Sequence, residues 1–232
     1  MTRRTVVLAS GQLLTAAFWA PILERLGSAH DFRHADNTRD DSVQAMAQRL
    51  LDGAPASFDL VAHAMGGFVA FEVLRTAPQR VRRLVLVSTL APNDGPAQIE
   101  RRQGYARLVE AGQFARVVEE RIPILLHPDR QADEALLGFA RQMAAETGPE
   151  TFLRQQRAII ARPDSRPSLP AIRCPTLLIR GDSDGIVSQA HQDEMLAALP
   201  NARLETIAAC GHLLTLERPD ETAHLLSAWL SV

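Results

Sequence analysis

Cysteine is nearly absent, with two residues in 232. So few thiols exclude a small disulfide-stapled scaffold. Cys174 opens one predicted strand and Cys210 follows the end of the next. In parallel strands those positions lie at opposite ends of the sheet, beyond the ~7 Å Cα separation that a bridge tolerates, so both are expected as free thiols. No window of about eighteen apolar residues occurs, so no helix is expected to span a bilayer. Charge of one sign is also missing. The formal net charge of −2 gives no general pull toward nucleic acid or an anionic membrane. His30, His34, His127, His191 and His224 fall in no motif, and their spacing suggests no metal site.

What remains is an ordinary globular composition, 46% hydrophobic and 22% charged, in a chain long enough for one sizeable domain or a domain with a modest insertion. Arg3 and Arg4 followed by two short apolar runs loosely imitate a secretion signal. Gly11-Gln12 interrupts those runs, and cleavage near Ala20 would remove a strand that the motifs below require, so a cytoplasmic protein is expected.

Apolar, β-rich runs alternate with helical patterns along the chain. Strands are predicted over 5–9, 58–63, 83–88, 175–180 and 202–207, with a weaker one over 30–34. Helices are predicted over 15–26, 42–51, 66–76, 189–199 and 219–229. Strands apolar on both faces and joined by helices indicate a parallel sheet built of βαβ units. Between Ser88 and Pro175 the rhythm changes to helical periodicity with no clear strand, broken by Pro123, Pro128, Pro149, Pro163, Pro167 and Pro170. An ordinary crossover needs far fewer residues. An all-helical insertion between two parallel strands reads as a lid over their C-terminal edge, where α/β folds place ligands. No internal repeat or low-complexity tract is present.

Val61-Ala-His-Ala-Met-Gly-Gly67 comes directly after a predicted strand and directly before an apolar-periodic helix. That is the context of a strand–elbow–helix turn, which exposes one side chain at a helix N-terminus, beside backbone N–H groups and the positive end of the helix dipole. The turn is strained, so close neighbours must be small, as Ala62, Gly66 and Gly67 are. Taken alone, the segment would equally suit a plain glycine-containing turn.

The stretch from Asp59 to Phe68 resembles the nucleophile elbow of the α/β-hydrolases, which usually reads G-x-S-x-G. Ala62 stands at the first glycine, and Ala64 stands where the family carries its serine. A serine replaced by design to trap a ligand, or a naturally inactive relative that only binds one, would each explain this alanine. The resemblance implies an α/β-hydrolase fold: a mostly parallel sheet of about six strands in the order 2-1-3-4-5-6, with helices on both faces. It also implies a core of residues 1–90 and 171–232 and a helical cap of residues 91–170. Relatives usually begin with an extra hairpin, which this chain is expected to lack.

Further site residues follow from the family's chain order of nucleophile, acid, histidine. Gly181-Asp-Ser-Asp184 resembles the turn that carries the acid, which places Asp184 in that role; Asp182 and Asp94 are the alternatives. Cys210-Gly-His212-Leu resembles the loop that delivers the general base, His212. His63, next to the elbow, is expected to be buried, hydrogen-bonded and supporting. The resemblance implies oxyanion donors at the backbone N–H of Met65 and of Gln12, although Ser10-Gly-Gln12 lacks the histidine usual in that loop. Ile186, Leu213 and lid residues are expected to line a mainly apolar pocket, with Gln156 as a polar candidate for reading a substrate group. The lid arginines Arg101, Arg102, Arg116 and Arg121 could attract an acidic substrate or simply face solvent.

The implied activity is hydrolysis of a carboxylic ester, lactone or related acyl bond of a small molecule, without metal or organic cofactor. Serine would attack, His212 would shuttle the proton, and Asp184 would orient His212. Hydrolysis of a carbon–carbon bond beside a ketone is a second possibility within the fold, and a non-catalytic ligand-binding protein is one outside catalysis.

Overall fold

A computed structural model describes residues 3–231. Six strands form one all-parallel sheet: β1 (Thr5–Ala9), β2 (Asp31–His34), β3 (Phe58–His63), β4 (Val81–Val87), β5 (Thr176–Gly181) and β6 (Ala202–Ile207). Their order is β2-β1-β3-β4-β5-β6. This is the α/β-hydrolase fold that the elbow resemblance implies, with each predicted strand within about two residues of its observed position.

The period of two along each strand divides the core into two layers. Val6, Leu8, Val61, Val85, Leu177 and Ile179 face one side, where α1 (Ala20–Leu26) and α9 (Pro219–Leu230) cover them. Val7, Ala9, Leu60, Ala62, Leu84 and Leu178 face the other, under α2 (Val43–Gly53), α3 (Met65–Thr76) and α7 (Gln189–Ala198). Covering both faces is what permits the central strands to be largely apolar on both sides. The helix predicted from residue 15 begins as a 3-10 turn, Ala16–Trp19. The α-helix proper starts at Ala20, with Pro21 in its first turn, where a missing N–H costs nothing. A single-turn helix, α8 (Leu214–Glu217), precedes α9.

Between β4 and β5 lie α4 (Pro96–Glu110), α5 (Phe114–Arg121) and α6 (Glu134–Ala161), with short 3-10 turns at Pro123–Leu125, Pro128–Arg130 and Arg166–Ala171. The prolines sit at the breaks, as the sequence suggests. Within α6, Gly148 adopts φ 77° and ψ 165° just before Pro149, which divides that element into two helices. Val117, Ile122, Leu137, Met143 and Phe152 from this region are buried and continuous with the α1/α9 side of the core.

The order of the strands reverses at β1, between β2 and β3, which opens a crevice at the carboxyl ends of β1 and β3. Helix α3 enters that crevice closely enough to leave no room for side chains in its first turn. A Cβ on Gly66 would lie 2.2 Å from the carbonyl oxygen of Ala9, and one on Gly67 would lie 2.3 Å from Thr89 Oγ1. The Ala9 carbonyl is backbone in a central strand and cannot swing aside. Gly66→Ala is therefore expected to lower the unfolding free energy by about 2 kcal/mol or more, the upper range for overpacking a tight site. Urea denaturation of the two proteins checks this, and equal midpoints would contradict the close approach.

Candidate active site

Ala64 joins β3 to α3 at φ 49° and ψ −112°, a left-handed conformation that costs a non-glycine residue on the order of 1–3 kcal/mol. Neighbouring bonds hold it there. Ala64 N–H donates to the Val87 carbonyl (3.0 Å), and Thr89 Oγ1–H donates to the Ala64 carbonyl (2.8 Å). The result points the Ala64 methyl group into a cavity of about 380 Å³ at the N-terminus of α3.

His212 lines the same cavity from the loop between β6 and α8. Its Nδ1–H donates to the Asp184 carboxylate, 2.9 Å from Oδ2 and 3.0 Å from Oδ1. Both partners are buried. Asp184 also accepts the N–H groups of Ile186 (2.8 Å) and Val187 (3.0 Å). Burial would raise its pKa, but the His212 charge, the His212 hydrogen bond and the two backbone donors outweigh that and bring it down to about 2. An ionised carboxylate on Nδ1–H leaves His212 Nε2 as the ring's free lone pair.

The other candidate acids are committed elsewhere. Asp182 accepts the N–H groups of Ala209 (3.0 Å) and Cys210 (3.2 Å) and so shapes the histidine loop from below. Asp94 lies between Arg102 and Arg162, 2.8 Å from the latter.

The histidine loop is tied to the helical insertion. His212 N–H donates to the Leu125 carbonyl (2.8 Å). The buried Glu217 carboxylate accepts Gly211 N–H (3.0 Å) and His127 N–H (2.8 Å), one from each side of that junction. Burial raises the Glu217 pKa. In the sequence Glu217 reads only as part of a helix-start signal. Its second use as a clamp depends on a contact ninety residues away in the chain.

His63 is fully buried, and its Nε2–H donates to the His212 carbonyl (2.9 Å), which fixes the tautomer. The His63 and His212 rings lie 4.9 Å apart, centroid to centroid. The loop after β1 reaches the same place: a Cβ on Gly11 would lie 2.8 Å from His63 Nδ1 and 3.1 Å from the Ala64 Cβ. Leu13, at φ 65°, donates its N–H to Gln155 Oε1 (3.4 Å). Gln155 Nε2–H in turn donates to the Asn37 carbonyl (3.1 Å), and Asn37 Nδ2–H to that of Ser10 (3.1 Å). Gln12 and Met65 both line the cavity, and neither N–H donates to a backbone carbonyl outside the regular elements.

Ile186 and Leu213 line the cavity, whereas Gln156 does not. The Gln156 side chain is buried, and its Oε1 accepts from Arg102 Nη1–H at 3.4 Å. It touches a lining residue rather than the space itself. The expectation of a mainly apolar pocket is also corrected. Arg101, Arg102, Arg121 and Arg162 share its wall with Asp94 and Gln12. Helical periodicity alone does not reveal that α4 turns Arg102 and the end of α5 turns Arg121 toward the cavity, while Arg116 faces outward and pairs with Glu120 (2.9 Å).

The profile of the alpha/beta hydrolase fold family matches residues 22–219. The chain belongs to the α/β-hydrolase family. It is 30% identical to the "Putative carbamate hydrolase RutD" of Azorhizobium caulinodans, over 93% of this chain and 86% of that one. It is 25% identical to the pimeloyl-[acyl-carrier protein] methyl ester esterase of Nitrosomonas europaea, over 93% and 91% of the two chains. Among solved structures, a thermophilic esterase from Thermogutta terrifontis, with malate bound, superposes with a TM-score of 0.89. That esterase is 28% identical, and the match covers 99% of this chain and 90% of that one.

In this α/β-hydrolase, burial and the nearby His212 lower the pKa of His63 to about 3. The ordinary value is 6.5. Between those values the unfolded chain binds a proton at this site that the folded chain refuses. Stability is therefore expected to fall as pH falls through that window, by up to about 1.4 kcal/mol per pH unit. His63→Gln keeps an N–H donor for the His212 carbonyl but cannot titrate. Unfolding free energies measured from about pH 6 to about pH 4.5 should depend on pH less steeply in the variant, by close to one proton. Identical slopes would contradict a neutral, buried His63.

Proposed function

We propose that this α/β-hydrolase carries the binding and proton-transfer groups of an acyl hydrolase, with Ala64 standing where a nucleophilic serine would act. The convergence of the elbow and the Asp184–His212 pair on one cavity carries the reading. Residues 1–90 and 171–232 would form the core and 91–170 the cap. That cap supplies Arg102, Arg121 and Ile124 to the cavity wall. The unpaired thiols of Cys174 and Cys210 fit a reducing compartment such as the cytoplasm.

The reaction would run as follows in a serine form. The hydroxyl at position 64 attacks the carbonyl carbon of a carboxylic ester, lactone or related acyl bond, and His212 Nε2 takes its proton. Asp184 holds the imidazole in the tautomer that accepts at Nε2 and stabilises its protonated form. The Gln12 and Met65 N–H groups receive the negative charge that develops on the carbonyl oxygen. His212 then returns the proton to the leaving group, and water releases the acyl group by the same steps in reverse roles. Ile186 and Leu213 would hold the apolar part of the substrate. Relatives named as a methyl ester esterase and a carbamate hydrolase fit this chemistry, since both names describe attack of water on an acyl carbon.

The methyl group of Ala64 favours a second reading, a ligand-binding protein that cleaves nothing. The two readings part on one substitution. Loss of the serine from a comparable triad costs about 10⁶-fold in turnover. Ala64→Ser is thus expected to raise hydrolysis across an ester, lactone and amide panel by several orders of magnitude, and His212→Gln in that background should abolish most of the gain. A serine variant that binds panel compounds and turns over none would establish the binding protein instead.

A further inference from the structure

We propose that the cavity is built for acyl compounds that also carry a carboxylate, received by the Arg121 guanidinium and the side-chain amide of Gln12. The proposal deepens the acyl-hydrolase reading and depends on it only for calling such a ligand a substrate.

The charge balance of the cavity runs against that of the chain. The whole protein carries a formal net charge of −2, yet four guanidinium groups and only Asp94 among the carboxylates line this space. Two of the four are accounted for. Arg102 and Arg162 both pair with Asp94, and Arg162 donates in addition to the carbonyls of Ile159 (2.8 Å) and Pro92 (2.9 Å). Arg101 is exposed at the rim.

Arg121 is different. Its side chain lies near the rings of Tyr105 and Phe152, with the guanidinium carbon 5.5 Å and 5.7 Å from their centroids. Among the described residues it pairs with no carboxylate, and its hydrogen-bond partner is Gln12 Oε1, at 2.5 Å. Desolvation, and then the neighbouring Arg102 charge, pull its pKa down to about 10, which still leaves it fully charged at neutral pH. A desolvated charge without a counter-charge is costly and is ordinarily paired. Arg121 lines the cavity, so a ligand there can supply the counter-charge.

Gln12 supplies an independent pointer. Its Oε1 is occupied by Arg121, while its Nε2 is buried and has no partner. A guanidinium and an amide N–H side by side offer two or more donors and no free acceptor. That set complements the two oxygens of a carboxylate, and a neutral ester end would leave the charge unanswered. The position also limits the ligand. Gly11, the residue before Gln12, lies against Ala64, and Gln12, Arg121 and Ala64 line one cavity of about 380 Å³. A short chain of a few carbons between the carboxylate and the reactive acyl group fits this spacing.

Titration calorimetry on the protein as it stands, with Ala64 in place, tests the proposal. Monomethyl glutarate and dimethyl glutarate have the same acyl ester end and differ in the charge of the other end. The monoanion is expected to bind at least about tenfold more tightly at low salt, the worth of a charge-assisted pair. Arg121→Gln should abolish the preference, and Arg121→Lys should retain part of it. Equal affinities for the two compounds, or a preference that survives Arg121→Gln, would overturn the proposal. Should Arg121→Gln fail to fold, Gln12→Leu carries the test. It should reduce the ratio of the two affinities severalfold, and an unchanged ratio overturns the assignment. Since binding alone is read, the outcome is separate from catalysis. A monoanion preference lost in Arg121→Gln, together with no turnover after Ala64→Ser, would uphold this site and defeat the hydrolase reading.

Discussion

Holding a residue other than glycine at φ 49° between a central strand and a buried helix requires the surroundings to leave no alternative. At Ala64 the constraint comes from three neighbours. β4 takes its N–H, Thr89 takes its carbonyl, and the first turn of α3 is pressed against β1 and Thr89 so closely that Gly66 and Gly67 can carry no side chain. Once the chain turns there, the α3 N-terminus and the loop after β1 must meet at the carboxyl edge of the sheet. A cavity then lies where the strand order reverses. The backbone is strained although the side chain at that place is only a methyl group.

The same edge is joined to the helical insertion by one backbone hydrogen bond and by one buried carboxylate that collects backbone N–H groups from both sides. His212 N–H on the Leu125 carbonyl, and the Glu217 carboxylate between Gly211 and His127, make the histidine loop and the insertion one unit. Gln155, from α6, anchors the loop after β1 in a similar way. The groups proposed to move protons and those proposed to read the ligand therefore share their supports. A shift of the insertion would move His212 as well as Arg121.

Much of this was legible in the chain. Strands buried on both faces are largely apolar, so β1, β3, β4 and β5 stand out as runs, whereas β2 and β6 are edge strands and only partly buried. The elbow, the Asp184 turn and the Gly211-His212 loop are short segments whose residues are fixed by local geometry, and they can be read without knowing what packs on them. The misreadings lie where long-range packing decides. Gln156 sits on α6 but behind the cavity wall, and its neighbour Gln155 anchors the loop after β1. The inward turn of Arg102 and Arg121 depends on how α4 and α5 cross, which a helical period does not specify. Glu217 and His127, ninety residues apart, meet only in the folded chain.

In the proposed hydrolase the elbow, His212 and the Gln12 and Met65 N–H groups surround position 64 and would activate a nucleophile there. Covalent trapping with a fluorophosphonate tests this directly, since the reagent needs an activated hydroxyl and oxyanion donors but no particular substrate. The Ala64→Ser protein should take up one phosphonyl group per chain, located by mass spectrometry at position 64, and the Ala64→Ser/His212→Gln protein should remain unmodified over the same time. Ser88, a residue of the cavity wall whose buried hydroxyl has no partner among the described residues, serves as an internal control and should stay unlabelled in both. No label at position 64, or equal labelling with and without His212, would contradict that role for the elbow and His212.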